Sequence, residues 1–189
     1  MTAFTETEIQ IIDTWNQTLE KPVSIELNLP SPDEAAAGSK ETVNTFKALA
    51  GELKELADNL TVTEKTADQP RPGFSIAENI RFSAYPMKKE LEPFLSALSL
   101  ENQGPLPLSE SARAGLDRID IPVQLKLYIA LFCPHCPKMV NTLVPLALYC
   151  SNIHLDIIDG SLFEDAARAD SVMSAPCLIL DNDFRWTGA

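Results

Sequence analysis

Glycine is scarce in this chain, with seven residues in 189. They form neither G-x-G-x-x-G nor G-x-x-x-x-G-K-[ST], so the backbone cradles for a dinucleotide or a triphosphate are missing. Histidine is scarcer, and two residues are too few for a multi-histidine metal centre. Four cysteines cannot make the disulfide scaffold of a small secreted domain. Basic residues are outnumbered 15 to 27 by acidic ones, and the net charge of −12 repels phosphate backbones and anionic headgroups. Neither nucleic-acid nor membrane-surface binding is expected. No apolar run reaches transmembrane length: Ile119 to Phe132 is broken by Asp120, Pro122, Gln124 and Lys126. Met1 to Gln10 lacks the basic start and apolar stretch of a secretory signal, so a cytoplasmic location is expected.

What is present is 45% hydrophobic and 22% charged, which suits a packed core in one domain or two small ones. Glu6 to Leu19 has helical spacing, with Ile9, Ile12, Trp15 and Leu19 on neighbouring turns and Pro22 beyond its end. Val23, Ile25, Leu27 and Leu29 alternate with polar residues as in a half-buried strand. Pro30 to Lys40 reads as a loop, and Thr42 to Asn59 as a helix striped by Val43, Phe46, Leu49, Leu53 and Leu56. A short strand at Leu60 and Val62 follows, then a hairpin of Phe74 to Glu78 and Ile80 to Ala84, and a helix from Met87 to Leu100. The chain breaks at Asn102 to Pro107, and Ser109 to Arg118 is a short helix. A second series then begins: strand Val123 to Phe132, helix Pro134 to Cys150, strand Ile153 to Ile158, short helix Ser161 to Asp170, strand Cys177 to Leu180, and a return over Phe184 to Thr187.

The two series can be laid over each other. Pro22-Val23-Ser24-Ile25-Glu26-Leu27 matches Pro122-Val123-Gln124-Leu125-Lys126-Leu127 at an offset of 100, and Asn59-Leu60 matches Asn152-Ile153 at 93. Pro72 matches Pro176, and Arg81-Phe82-Ser83 matches Arg185-Trp186-Thr187, both at 104. The unit is β-α-β, a proline turn, a β-hairpin and a closing helix, so each crossover pair is parallel and each hairpin adds antiparallel strands. The expected fold is α/β, a mixed sheet flanked by helices. Residues 1–107 form a first unit without cysteines, carrying an N-terminal helix, and 108–189 a second. The second unit lacks the closing helix that Met87 to Leu100 supplies to the first. The chain is therefore expected either to be part of a longer protein or to cover that bare face with a partner or a second copy of itself.

Cys133-Pro134-His135-Cys136 lies between a strand and a helix inside the second β-α-β pattern, the context in which C-x-x-C reads as a redox motif. The first cysteine is expected at the helix N-terminus, where free N–H groups and the helix dipole favour a thiolate. Pro134 suits a first helical turn, and His135 adds positive charge beside the sulfur. The two-residue spacer lets Cys136 reach back and resolve a mixed disulfide formed by Cys133.

The motif, with Ser174-Ala175-Pro176 just before a strand, resembles the thioredoxin superfamily. The resemblance implies a cis-proline at Pro176 opposite the dithiol, with the backbone of Ala175 pairing with an extended substrate segment. The tandem of thioredoxin-like units, with C-x-x-C confined to the C-terminal one, resembles the N-terminal domain of the alkyl hydroperoxide reductase flavoprotein subunits. It is similar also to the protein disulfide oxidoreductases. The similarity runs from about residue 15 to 189 and includes Arg71-Pro72-Gly73-Phe74, Ile80-Arg81-Phe82, Ile158-Asp159-Gly160 and Val172-Met173. It implies a glutamate of the first unit beside the second unit's dithiol, and Glu90 falls at the matching place. The bland reading of Glu90 is an exposed helix residue beside Lys88 and Lys89. The Pro-His spacer departs from the flavoprotein subunits and is the pair of strongly oxidising periplasmic enzymes. No flavin or nucleotide fingerprint is present, so electrons are expected from a separate flavoprotein reductase.

The expected activity is dithiol–disulfide exchange on protein disulfides, with the cysteine pair as redox centre, no other cofactor, and a peroxiredoxin as one possible acceptor by analogy. The alternative is a non-catalytic module that carries a metal or cluster on the same thiols, drawing on His135 and a distant ligand such as His154. Cys150 is fourteen residues beyond Cys136 on one helix, about 21 Å along its axis, and reads as a buried inert thiol. Cys177 follows the proline and reads as core, with a third redox thiol as the alternative.

Cys150→Ala and Cys177→Ala are each expected to keep disulfide-reducing turnover within a few-fold of the unsubstituted chain, at a stability cost of about 1 kcal/mol. Steady-state assays and thermal melts check this. A loss in either variant as deep as that of Cys133→Ser would contradict the core reading.

Overall fold

A computed structural model describes residues 3–31 and 40–188, apart from the side chain of Gln103. The helices are α1 (Glu6–Thr18), α2 (Lys40–Leu56), α3 (Leu91–Gln103), α4 (Glu110–Leu116), α5 (Cys136–Tyr149) and α6 (Glu164–Ala169). The strands are β1 (Val23–Pro30), β2 (Leu60–Ala67), β3 (Gly73–Ala77), β4 (Ile80–Ser83), β5 (Val123–Ile129), β6 (Ile153–Asp159), β7 (Cys177–Leu180) and β8 (Phe184–Thr187). The loop expected over Pro30 to Lys40 falls mostly outside the described residues. Among the described residues, no helix is long and apolar enough to cross a membrane.

All eight strands join one sheet in the order β2-β1-β3-β4-β6-β5-β7-β8. The first four and the last four have the same internal order. Strands β1 and β5 start 100 residues apart, β2 and β6 start 93 apart, and β3/β7 and β4/β8 start 104 apart. These are the offsets of the sequence match, so the repeat is structural. Strands β1 and β2, and β5 and β6, pair parallel, while β3–β4 and β7–β8 are antiparallel hairpins. The halves meet where β4 pairs parallel with β6, from Ile80 opposite Leu155 to Ser83 opposite Ile158.

Period-two alternation gives the sheet one apolar face and one polar face. Val23, Ile25, Leu27, Phe74, Phe82, Leu155 and Ile157 are buried. Phe74 meets Phe46 of α2 at 5.8 Å and Phe94 of α3 at 5.2 Å, so these helices share one layer. Phe94 also meets Phe82 at 5.1 Å, which places α3 over the hairpin as the first unit's closing helix. Helix α1 packs on this layer through the Trp15 indole, which donates to Ser99 Oγ at 2.8 Å. Gly73 permits close hairpin packing, since a Cβ there would lie 2.7 Å from Ser83 Oγ.

The hairpin corner of the first half is sewn to the second half by Asn79. Its side-chain Nδ2 donates to the carbonyls of Ala147 and Ile153, each at 2.7 Å, and its backbone carbonyl accepts from Leu155 N at 2.8 Å. Beside it, Arg71 pairs with Asp156 at 2.7 Å across the same junction.

Several boundaries differ from the sequence expectation. Strand β5 ends at Ile129, not Phe132, because the chain turns at Ala130, whose carbonyl accepts from Cys133 N at 2.9 Å. The helix expected from Pro134 starts at Cys136, and the proline in its first turn is Pro137. Strand β2 continues to Ala67 because β1 pairs with it over eight residues. The helix expected from Met87 divides into a 3-10 turn, Lys88–Glu90, and α3.

Asn79→Ala removes side-chain bonds from two partly buried carbonyls at the junction. We expect a loss of about 2 kcal/mol and a fall in Tm of about 4–8 °C. An unchanged Tm by differential scanning calorimetry would contradict this account of the junction.

Candidate active site

Strands β4, β6 and β5 are neighbours and run parallel, so their carboxyl ends open on the same side of the sheet. Beyond β5 comes the Cys-Pro-His-Cys turn, β6 ends on Asp159 opposite Ile129, and the chain from β4 leads through Tyr85 to the 3-10 turn bearing Glu90. One half supplies the dithiol and the other the glutamate.

The two sulfurs sit in different surroundings. Cys133 is half-buried, whereas Cys136 is fully buried. Although Cys133 stands three residues before α5 instead of at its cap, its Sγ lies over the helix start and accepts from Cys136 N at 3.2 Å. The Cys133 thiol also lies 3.7 Å from the Ala175 carbonyl, toward which it donates. The Ala175–Pro176 peptide is cis, and Pro176 is buried. Burial pushes the Cys136 thiol well above its ordinary range, reinforced by the Cys133 sulfur and by the Glu90 charge. Both cysteines are free thiols. Pro134 and His135 are exposed, and His135 occupies the cap position of α5 without a side-chain capping bond.

Glu90 is not an exposed helix residue: it is 0% accessible, and neither carboxyl oxygen has a hydrogen-bond partner among the described residues. Burial raises its pKa to about 8, with the nearby charge of Asp159 as a second cause. What turns it inward begins in α1. Thr5 and Glu8 form a capping box, and Glu8 Oε1 accepts from Lys88 N at 2.6 Å. Lys88 takes a left-handed backbone, φ 54°, which costs on the order of 1 kcal/mol, and the buried Glu90 follows two residues on. Asp159 is also buried, and its Oδ1 accepts from Ser161 N at 2.8 Å and Leu162 N at 3.2 Å. Burial raises its pKa, and those donors oppose the rise.

The structure thus gathers Cys133, Cys136, Ala175, Pro176 and Glu90 in one place. Cys150 caps the far end of α5, its thiol 3.8 Å from the Leu116 carbonyl, and Cys177 is buried in β7 opposite Tyr128. His154 is exposed near the start of β6, five residues from Asp159 and so about 16 Å along the strand. Among the described residues, no group of three or more His, Cys, Asp and Glu side chains is placed to hold a metal ion. Sequence reasoning gave no role to Phe132 and Met173, which flank the thiol turn and the cis-proline and are 76% and 92% exposed. It also gave none to Asp159, although this acid closes the apolar run Ile157-Ile158 and lies in the Ile158-Asp159-Gly160 segment of the resemblance.

No family model matches the chain. The F subunit of the alkyl hydroperoxide reductase of Pseudomonas aeruginosa is 26% identical over 172 residues, covering 88% of this chain and 32% of that protein. This chain spans about a third of the length of the curated relatives it matches. The NTD_N/C domain of the alkylhydroperoxide reductase AhpF of Enterococcus faecalis V583 superposes with a TM-score of 0.77 at 19% identity, over 98% of this chain and 94% of that one. A protein disulfide oxidoreductase of Aeropyrum pernix K1 gives 0.74 at 15%, over 94% and 84%. The fold is that of two tandem thioredoxin-like units sharing one sheet, and the relatives are redox proteins.

Glu90 makes stability depend on pH. The unfolded chain releases this proton near 4.5 and the folded chain near 8, so between these values the folded state binds more protons and stability falls as pH rises. The loss is on the order of 5 kcal/mol and complete above pH 8. Glu90→Gln should abolish that part of the slope and raise Tm at pH 9 relative to pH 5. Parallel Tm–pH curves for the two proteins would contradict the buried, neutral state of Glu90.

Proposed function

We propose that the chain is a cytoplasmic dithiol–disulfide oxidoreductase that reduces protein disulfides, with residues 108–189 carrying the chemistry and residues 1–107 supplying Glu90. The observation that carries this reading is the asymmetry of the pair: a half-exposed Cys133 sulfur with an amide aimed at it, above a fully buried Cys136 thiol. Cys133 is the sulfur a substrate can reach, as nucleophilic attack requires.

The Cys133 thiolate attacks one sulfur of a substrate disulfide, and the other leaves as a thiolate that takes a proton from solvent. Cys136 then loses its proton and attacks Cys133 Sγ, which releases the second substrate thiol and leaves a Cys133–Cys136 disulfide. Two electrons pass from the pair to the substrate. Glu90, its pKa raised to about 8 by burial, is the group placed to accept the Cys136 proton. A separate flavoprotein reductase returns the electrons, and the cysteine pair needs no other cofactor.

Phe132, next to Cys133, and Met173, two residues before Ala175, are exposed apolar side chains, which suits a macromolecular partner better than a small disulfide. The Ala175 carbonyl, next to Cys133, is placed to pair with an extended segment of that partner. By analogy with the alkyl hydroperoxide reductase subunits it resembles, a peroxiredoxin disulfide is one such substrate.

Cys133→Ser is expected to abolish reduction of insulin and of dithionitrobenzoate. Cys136→Ser should keep the first attack and accumulate a mixed disulfide with its substrate, visible by mass spectrometry. Retained turnover in Cys133→Ser would overturn the proposal.

A further inference from the structure

The proposed chemistry uses Glu90 and leaves unused the second buried acid at the same strand ends. Asp159 closes β6 between the end of β5, where Ile129 lies opposite it, and the end of β4, where Ser83 lies opposite the preceding Ile158. It is 3% accessible, and Glu90 is 0%. The two carboxyls are unequally supported. Asp159 receives two backbone N–H bonds through Oδ1, whereas Glu90 receives no bond among the described residues. Backbone donors favour ionisation at Asp159, and a second negative charge close by disfavours it at Glu90.

We propose that Asp159 is a positioning residue for the thiol chemistry: held as a carboxylate by the Ser161 and Leu162 amides, it keeps the proton on Glu90, the group that exchanges it with Cys136. Of the two acids, Glu90 then carries the proton, because the Ser161 and Leu162 amides favour the carboxylate at Asp159 while Glu90 is buried with no such donor among the described residues. Asp159 touches neither sulfur and acts through Glu90.

Other charged groups around Glu90 cannot supply this bias. On its own turn, Lys88 and Lys89 are exposed and of the opposite sign. Helix α1 presents Glu8, tied to the amides of Thr5 and Lys88, and α3 presents Glu92 at the surface. Helix α5 presents Cys136 with Cys133 before it, and the loop after β4 presents Tyr85, whose neighbours include Thr42, Thr45 and Asp159. Asp159 is the negative group that acts on Glu90 most directly.

The role of Glu90 toward Cys136 rests on the function proposed above, but its coupling to Asp159 does not, so the test reads the carboxyls themselves. Carbon-13 NMR of carboxyl-labelled, reduced protein, assigned with Glu90→Gln and Asp159→Asn, should show Asp159 ionising at lower pH than Glu90. In Asp159→Asn, which keeps an acceptor for both amides, the Glu90 midpoint should fall by about one pH unit or more, at least tenfold in proton affinity. Asp159→Glu should restore it. The pH profile for resolution of a Cys133 mixed disulfide should shift down by the same amount in Asp159→Asn and lose that break in Glu90→Gln. A Glu90 midpoint unmoved in Asp159→Asn would overturn the proposal. If that variant does not fold, ionisation of Glu90 before Asp159 in the unsubstituted protein would overturn it too. Failure of the redox reading would appear instead as turnover retained by Cys133→Ser, with both carboxyl titrations unchanged.

Discussion

The site depends on the parallel pairing of β4 with β6. Each half could close its own β-α-β and hairpin sheet, but only this pairing sets the carboxyl end of β4 beside those of β6 and β5. Glu90 then reaches the dithiol although forty-three residues separate it from Cys133 in sequence. The junction is reinforced where a slip would do most harm. Asn79 fixes the hairpin corner against α5 and β6, and Arg71–Asp156 bridges the polar face. A one-residue slip would move Phe82 from the apolar layer to the polar face, so the register is strongly specified.

The cysteine-free half therefore does more than scaffold. Its N-terminal helix holds the 3-10 turn through Glu8, and the turn brings to the buried thiol a carboxyl that has no hydrogen-bond partner among the described residues. Stability alone would favour an apolar residue or glutamine there. A strained Lys88 backbone and a buried acid without a hydrogen-bond partner among the described residues are costs that local packing does not explain. Both place a titratable group, poised near neutral pH, next to the thiol with the raised pKa.

Much of the fold was legible in the sequence because sheet burial writes itself as period-two alternation. The residue pairs Val23/Val123, Leu60/Ile153 and Ile80/Phe184 begin equivalent strands at the offsets read from the sequence. The Cys-x-x-Cys motif and Ala175-Pro176 were legible as chemistry and are adjacent in space. Leu131 and Phe132 misled because two apolar residues after a buried strand look like more strand; they lie in the turn, with Phe132 at the surface. Pro134 misled because it satisfies helix-start rules that Pro137 satisfies in fact. Glu90 in Lys88-Lys89-Glu90 has the local pattern of a solvated surface. It is buried at the end of a turn whose Lys88 N–H is held by Glu8, eighty residues before Lys88, a contact that no local window contains.

The central claim is that Cys133 and Cys136 form one reversible redox couple while the other two cysteines remain thiols. Equilibration of the intact chain across a series of glutathione redox buffers, with alkylation and peptide mass spectrometry at each potential, tests it most directly. The account predicts a single two-electron transition in which Cys133 and Cys136 are lost and regained together, with Cys150 and Cys177 alkylated only after unfolding. No Cys133–Cys136 disulfide at any potential, or a disulfide engaging Cys177, would contradict it.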